Sequence, residues 1–205
     1  GQIDVLLLVD VNPVYSMPAK SGFADALAKV PLVVSLADRA SETTARAALV
    51  LATLHPLESW GDYSSQDGVI GLMQPAMGPV LIEGKPVQAR GTGDVFLSVG
   101  RKALGLEEGK GPLRWPTFRD FLTEEWQKIA RDHGASGPFA DFWETTLRRG
   151  GVWRTVPAGQ VSVRPDAGRV SAAAPKLEGD GTHVLLVYPS SRFYDGRGSD
   201  RPWER

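Results

Sequence analysis

Three short apolar runs near the start of the chain constrain its fold more than any other feature. They cover residues 5–9, 32–36 and 48–51 and are rich in Val and Leu. Runs of this kind are typical of strands that are covered on both faces of a parallel sheet. None approaches the roughly 20 apolar residues that a membrane span needs, so we expect strands and no direct membrane span.

Helix signals separate these runs. Ser21 is in the position of an N-cap for a short amphipathic segment that Pro31 ends, and Ser41 opens a second segment in which Glu42 suits the helix dipole. An order of strand, helix, strand, helix, strand predicts right-handed parallel crossovers. The sequence therefore predicts an α/β fold, with a Rossmann-like parallel sheet and helices on both faces.

Two further amphipathic helices are predicted after a helix over residues 92–104. One covers residues 117–133, with Thr117 and Asp120 in the positions of a capping box, and the other covers residues 139–150. Their aromatic stripes are typical of core packing. We interpret this part of the chain as an inserted helical hairpin.

The remainder of the chain predicts a short β-rich segment, in which residues 183–188 form the best strand candidate before a polar tail. We divide the chain into a Rossmann-like half domain (residues 1–110), a helical insertion (111–150) and a β-rich return segment with a surface tail (151–205). The chain opens on Gly1 and enters an apolar run almost at once, so we expect it to be a piece of a longer polypeptide.

Composition removes several functional classes. The 23 basic and 24 acidic residues leave a formal charge of −1 without a dense basic block, which argues against nucleic acid as a partner. The chain has no Cys, so iron–sulfur ligation and thiolate chemistry are excluded within it. The three His residues lack metal-ligand spacing, and no catalytic triad motif is present. We predict no catalytic residue and no metal ligand.

Polar residues cluster where ligands of parallel α/β sheets bind, just beyond the carboxyl ends of the strands. Asn12 follows the first strand, Ser41 the second, and Glu58 the third. Glu58 belongs to a Gly- and Asp-rich stretch, residues 57–68, which we interpret as a ligand-facing loop. Turn chemistry is the alternative for these positions: Asn12 in a turn, Ser41 as an N-cap, and Gly61 and Gly68 at positive φ.

Several of these motifs, in order, resemble the large subunit of the molybdopterin oxidoreductase family. They are the Asn12-Pro13 turn, Ser41-Glu42-Thr43, and residues 57–68, which align with a family loop of the type E-x-x-G-T-x-x-N-x-E-G-R. In that family the loop approaches the pterin dinucleotide. Here Asp62, Ser65 and Val69 replace its Thr, Asn and Arg. Loss of the cation and of the amide weakens the case for binding an anionic pyrophosphate.

A closer resemblance is to the molybdopterin-like domain of the iron–sulfur subunit of alternative complex III, a quinol-oxidising membrane complex. It is carried by Glu58-Ser59-Trp60-Gly61-Asp62 and by Tyr194-Asp195-Gly196-Arg197 with Trp203. The resemblance implies a structural scaffold with no cofactor in this chain and iron–sulfur clusters only outside it. It also implies partners in the remainder of the subunit and in iron–sulfur and haem subunits, at the periplasmic or outer face of the cytoplasmic membrane.

Two alternatives remain open. In the first, the chain is a cofactor-binding segment of a molybdenum or tungsten oxidoreductase. Eight residues would then contact a molybdopterin guanine dinucleotide: Asn12, Ser41, Glu42, Thr43, Glu58, Gly61, Asp62 and Gln66. In the second, the chain is an α/β domain that binds another small molecule at the same edge of the sheet, since a fold alone does not fix function.

Overall fold

A parallel sheet of three strands forms the amino-terminal part of the fold. The computed structural model of the protein describes residues 2–157, 159, 179–191, 194 and 196. Strands β1 (Val5–Val9), β2 (Leu32–Ala37) and β3 (Leu49–Ala52) lie side by side in that order and all run in the same direction. The α/β fold class predicted from the apolar runs is confirmed.

The first crossover contains the short helices α1 (Pro13–Ser16) and α2 (Phe23–Leu27). Leu27 of α2 packs on Leu8 and Val33 of the sheet, and these three buried side chains form the first apolar core. Val30 and Pro31 then lead into β2, as the sequence predicts.

The second crossover is shorter than predicted. Instead of a helix beginning at Ser41, it contains one 3₁₀ turn, Thr44–Arg46. Ser41 and Thr44 bond to each other's backbone: the Ser41 N–H donates to Thr44 Oγ1 at 2.7 Å, and the Thr44 N–H donates to Ser41 Oγ at 3.2 Å. Local bonds of this type compete with helix propagation, so the helix prediction is wrong beyond its first turn.

Residues 57–68 form a turn and a strand, so interpreting the whole stretch as a loop is wrong. A 3₁₀ turn, Pro56–Glu58, leads into β4 (Gly61–Gln66), which pairs antiparallel with β5 (Val69–Met73). Gly68 has a φ of 81°, and an Asp-Gly pair between two strands is a strong hairpin signal. Gly, Asp and Ser have low β propensity, but strand pairing overrides that preference here.

The middle of the chain contains a small hairpin and a long helix. Strands β6 (Leu81–Ile82) and β7 (Lys85–Pro86) form the hairpin. Helix α3 (Thr92–Ala103) follows and confirms the predicted helix. It is followed by residues 104–117, which include a 3₁₀ turn at Gly111–Leu113.

The predicted helical pair is confirmed as α4 (Phe118–Asp132) and α5 (Phe139–Arg149). The capping box is present: the Asp120 N–H donates to Thr117 Oγ1 at 3.2 Å, and the Thr117 N–H donates to Asp120 Oδ2 at 3.1 Å. Strand β8 (Gly151–Trp153) follows α5 directly and pairs antiparallel with β5. The antiparallel sheet therefore has the order β4-β5-β8.

The two helices and the antiparallel sheet share a second apolar core. Its buried centre consists of Leu72, Leu122 and Trp126. Trp143 joins them to the sheet: its ring stacks on Trp60 with centroids 6.1 Å apart and meets Trp126 edge-on at 6.4 Å. The prediction that the aromatic stripes are core residues is confirmed.

The chain divides into two compact units, Gly1–Pro157 and Ala158–Arg205. In the second unit, the strand predicted over residues 183–188 is absent from the described residues, so that prediction is wrong. Leu185, Leu186, Val187 and Tyr188 are each more than three-quarters exposed. Strand-forming residues without a partner strand do not form a ladder.

The boundaries at residues 110 and 150 stay predictions. Over the described ranges, no helix has both the length and the hydropathy that spanning a bilayer requires.

Candidate functional site

A hydrogen-bonded clamp joins the turns that follow β1 and β2. The Thr43 hydroxyl donates to Asn12 Oδ1 at 2.7 Å, and the Thr43 N–H donates to the same oxygen at 3.2 Å. Thr43 is fully buried, and its hydroxyl also accepts from the Val14 N–H at 3.1 Å. Two predicted site residues therefore lie together, as the parallel sheet requires, and they bind each other.

Glu42 and Ser41 complete this edge of the sheet. The Asn12 side-chain amide donates to Glu42 Oε2 at 2.7 Å. This hydrogen bond is the main reason that the pKa of the exposed Glu42 carboxyl lies below its ordinary value. Ser41 bonds to Thr44 within its own turn. Both residues thus also have partners within the chain.

Both carboxylate oxygens of Glu58 accept hydrogen bonds from backbone N–H groups. Its Oε2 accepts from the His55 N–H at 3.0 Å, and its Oε1 accepts from the Val80 N–H at 2.9 Å. His55 Nδ1 in turn accepts from the Leu57 N–H at 3.2 Å, completing a capping box around the 3₁₀ turn. Glu58 consequently fastens the segment before β6 to the turn before β4.

Gly61 and Gln66 lie at opposite ends of β4. A Cβ at Gly61 would lie 2.9 Å from Met73 Cε, the end of a flexible side chain that can move aside. The positive φ expected at Gly61 is wrong, whereas the one expected at Gly68 is confirmed. Gln66 is exposed beside the hairpin turn.

A cavity of about 520 Å³ lies next to this edge, within the first compact unit. It is lined by β4, the amino end of α3, the segment before α4 and the first turn of α4. Of the predicted site residues, Gly61 and Asp62 line it, whereas the other six do not. Five aromatic side chains contribute to its wall: Trp60, Phe96, Trp115, Phe118 and Phe121.

Asp10, which the sequence analysis did not select, also lines the cavity. It follows β1 immediately and has a φ of 50°, a conformation that few residues other than Gly adopt. Partial desolvation and the nearby Asp38 carboxylate raise the pKa of Asp10, and a hydrogen bond from the Thr53 hydroxyl at 3.4 Å partly offsets them. Its position as the first polar residue after β1 was the available signal.

The second carboxylate of the cavity is Asp62. Its apolar surroundings desolvate the carboxyl and raise its pKa, and Glu125 acts in the same direction. The Trp126 indole N–H lies close enough to lower the pKa again in part. Within the described part of the chain, no acceptor satisfies hydrogen-bond geometry with this buried N–H. Among the described residues, Asp10 and Asp62 are the only ionisable groups that line the cavity.

This chemistry does not fit a pyrophosphate. A bound pyrophosphate requires cations or free N–H donors, and the described lining supplies two carboxylates and mostly apolar atoms. The part of the chain that the structure describes also contains no group of three or more His, Asp or Glu residues arranged to hold a metal ion. The cavity is suited to an apolar body that carries hydrogen-bond donors.

Comparison with known proteins identifies a relative. Over 165 residues the chain is 32% identical to the menaquinone reductase, molybdopterin-binding-like subunit of Nitratidesulfovibrio vulgaris (strain Hildenborough). This similarity supports a molybdopterin oxidoreductase-like relationship at family level. The alignment covers 78% of the chain but 21% of the relative, so the chain spans about a fifth of that protein's length. No family profile matches the sequence.

The family relationship agrees with the motifs of the Asn12 turn, of Ser41-Glu42-Thr43 and of residues 57–68. The structure shows what these positions do in this chain. Asn12 and Thr43 hold two turns together, and residues 61–66 form a strand. The cavity draws on residues from position 10 to position 121, most of which carry no motif.

Proposed function

We propose that the chain is part of a molybdopterin-binding-like subunit of a membrane-associated, quinone-reactive electron-transfer complex, in which it acts as a structural scaffold without a pterin dinucleotide. The relative is named as a subunit of a menaquinone reductase, which supports membership of a multi-subunit complex. Its name specifies quinone reduction, whereas the resemblance to alternative complex III implies quinol oxidation. The proposal covers reaction with the quinone pool in either direction.

The observation that carries the scaffold proposal is the internal pairing of the would-be ligand residues. Asn12 Oδ1 accepts two hydrogen bonds from Thr43, and both oxygens of Glu58 accept from backbone N–H groups. A dinucleotide would have to replace these bonds, and each replaced bond leaves a polar group to be satisfied again. The same side chains stabilise the scaffold as they stand.

Charge supports the same conclusion. The family loop supplies Thr, Asn and Arg where this chain has Asp62, Ser65 and Val69. A pyrophosphate beside Asp62 would meet a like charge, and Val69 cannot supply the guanidinium of the family loop, which disfavours binding. Asp10 adds a second carboxylate to the neighbouring cavity.

The surroundings that we propose are those that the resemblance to alternative complex III implies. We place the partners in the remainder of the same subunit and in iron–sulfur and haem subunits of the complex. Iron–sulfur clusters would lie outside this chain, which contains no Cys. The location would be the periplasmic or outer face of the cytoplasmic membrane, as a peripheral component. Assignment to alternative complex III is part of this proposal.

Titration of the 205-residue chain with guanosine diphosphate tests the scaffold proposal, because this ligand carries the guanine and pyrophosphate of the dinucleotide. We expect no saturable heat in isothermal calorimetry up to about 1 mM ligand. A triple variant, Asp62→Thr with Ser65→Asn and Val69→Arg, restores the family loop and serves as the comparison. Micromolar binding to the unchanged chain would contradict the proposal.

A further inference from the structure

We propose that the cavity between β4, α3 and α4 is a binding site for a small organic cation with an apolar or aromatic body, such as a hydrophobic amine. This proposal goes beyond the scaffold role and does not depend on it. The cavity lies entirely within the first compact unit, so its walls belong to one body of the protein.

The size and the walls of the cavity favour a small organic molecule. Its volume of about 520 Å³ lies within the usual range of ligand pockets, roughly 300–1,000 Å³. The rings of Trp60, Trp115 and Phe118 are part of its lining. Aromatic side chains of this kind favour a flat apolar group through apolar burial.

The charge of the lining selects the sign of the ligand. Asp10 and Asp62 are its ionisable groups, and no Lys, Arg or His of the described chain is among the lining residues. Arg119 lies over the Trp60 ring, 5.1 Å from its centroid, and Arg114 lies over the Trp115 ring at 4.5 Å, but neither residue lines the cavity. An ammonium group of a ligand would therefore meet Asp10 and Asp62, and no described residue of the lining carries a positive charge.

The amino end of α3 also borders the cavity, and a helix amino terminus ordinarily favours an anion. Here Asp94 occupies the first turn of α3, and its Oδ1 accepts from the Phe118 N–H at 2.7 Å. The positive end of the helix dipole thus already has a carboxylate of the chain beside it. This terminus does not reverse the preference for a cation.

The backbone at Asp10 supports a binding role. A non-Gly residue at positive φ persists only where its surroundings fix it, and such residues concentrate at ligand sites. Asp10 is fixed by its N–H, which donates to the Leu36 carbonyl at 2.9 Å, and by the Thr53 hydroxyl. The Asp10 side chain is thereby held at the carboxyl edge of the sheet, where α/β proteins bind ligands.

Three probes with the same ring and different charges test the proposal. They are 2-naphthylmethylamine, 2-naphthylmethanol and 2-naphthylacetate, titrated into the 205-residue chain by calorimetry. We expect the amine to bind about tenfold more tightly than the alcohol and the acetate not to bind, since a charge-assisted hydrogen bond to a carboxylate contributes about a factor of ten or more. Equal binding of all three, preference for the acetate, or no binding of the amine at millimolar concentration would each overturn the proposal.

Variants locate the site. Asp62→Asn and Asp10→Asn keep the side-chain shape, and Asn tolerates the left-handed conformation of residue 10. Each should weaken amine binding about tenfold and leave alcohol binding unchanged. Asp67→Asn, in the exposed hairpin turn, is the matched control and should bind like the unchanged chain. Unaltered amine binding in both cavity variants, with thermal melts confirming that they are folded, would overturn the assignment to this cavity.

Discussion

The Thr43 hydroxyl lies 2.7 Å from Asn12 Oδ1 and joins the turn after β1 to the turn after β2. Because Thr43 is fully buried, this bond is shielded from competing water. At Asn12 and Thr43, the edge at which α/β proteins usually hold a ligand is therefore occupied by the protein's own hydrogen bonds, whereas Asp10 lines the neighbouring cavity. The proposed scaffold role of the chain depends on this hydrogen bond.

Thr43→Val should lower the free energy of unfolding by about 2 kcal/mol, because it removes one hydrogen bond to Asn12 and leaves the partly buried Val14 N–H without its acceptor. Urea unfolding followed by circular dichroism measures the change. Thr123→Val is the matched control, since its hydroxyl donates to the Arg119 carbonyl of its own helix. A loss at Thr43 no larger than that at Thr123 would contradict the clamp.

Two adjacent glycines should differ sharply when replaced by Ala. Gly150 has a φ of 75° and open space around its Cα, so Gly150→Ala should cost about 1 kcal/mol. Gly151 has a φ of 146°, and a Cβ there would clash with the Ile70 carbonyl of the neighbouring strand. Gly151→Ala should therefore cost about 3 kcal/mol or more. Thermal melts of both variants test the packing of β8 on β5, and equal costs would refute it.

Asp62→Asn should stabilise the protein at neutral pH. The pKa of Asp62 is raised in the folded state, so protonation of this carboxyl favours folding. The stability gained from protonation is complete below the unfolded-state pKa of about 3.9. That contribution is lost as pH rises through the folded pKa. The gain in Tm should be at most about 2 °C, since solvent screens this side chain, and should vanish below about pH 3.9. A gain that grows on acidification would contradict this assignment.

Glu42→Gln should show the opposite pH dependence. The pKa of Glu42 is lowered in the folded state by the hydrogen bond from Asn12, so its contribution is present above the unfolded-state pKa of about 4.3. It is lost as pH falls through the folded pKa. The variant should melt slightly below the unchanged protein at pH 7 and together with it in acid. A constant difference across this range would show that the charge of Glu42 is not involved.

Much of the fold follows from local patterns in the sequence. The apolar runs predict the parallel strands, and the capping box at Thr117 predicts the start of α4. The failures have physical causes. Strand β4 has polar residues of low β propensity and is stabilised by pairing with β5, whereas residues 183–188 have high propensity and no partner strand in the described structure.

The candidate site was predictable only in part. The neighbourhood of Asn12 and Thr43 follows from the parallel sheet, because the carboxyl ends of parallel strands meet at one edge. Their partnership with each other depends on side-chain geometry that spacing does not reveal. The cavity was missed because Asp10, Trp60 and Phe118 come from three separate segments and meet only after folding.

The most direct test of the scaffold account is the metal and pterin content of the intact parent subunit. Mass spectrometry would measure molybdenum, tungsten and iron, and oxidative extraction would detect any pterin. We expect iron from clusters outside this chain, without molybdenum, tungsten or pterin. Stoichiometric molybdenum or tungsten accompanied by pterin would contradict the account, because Asn12, Thr43 and Glu58 would then have to exchange their internal hydrogen bonds for a cofactor.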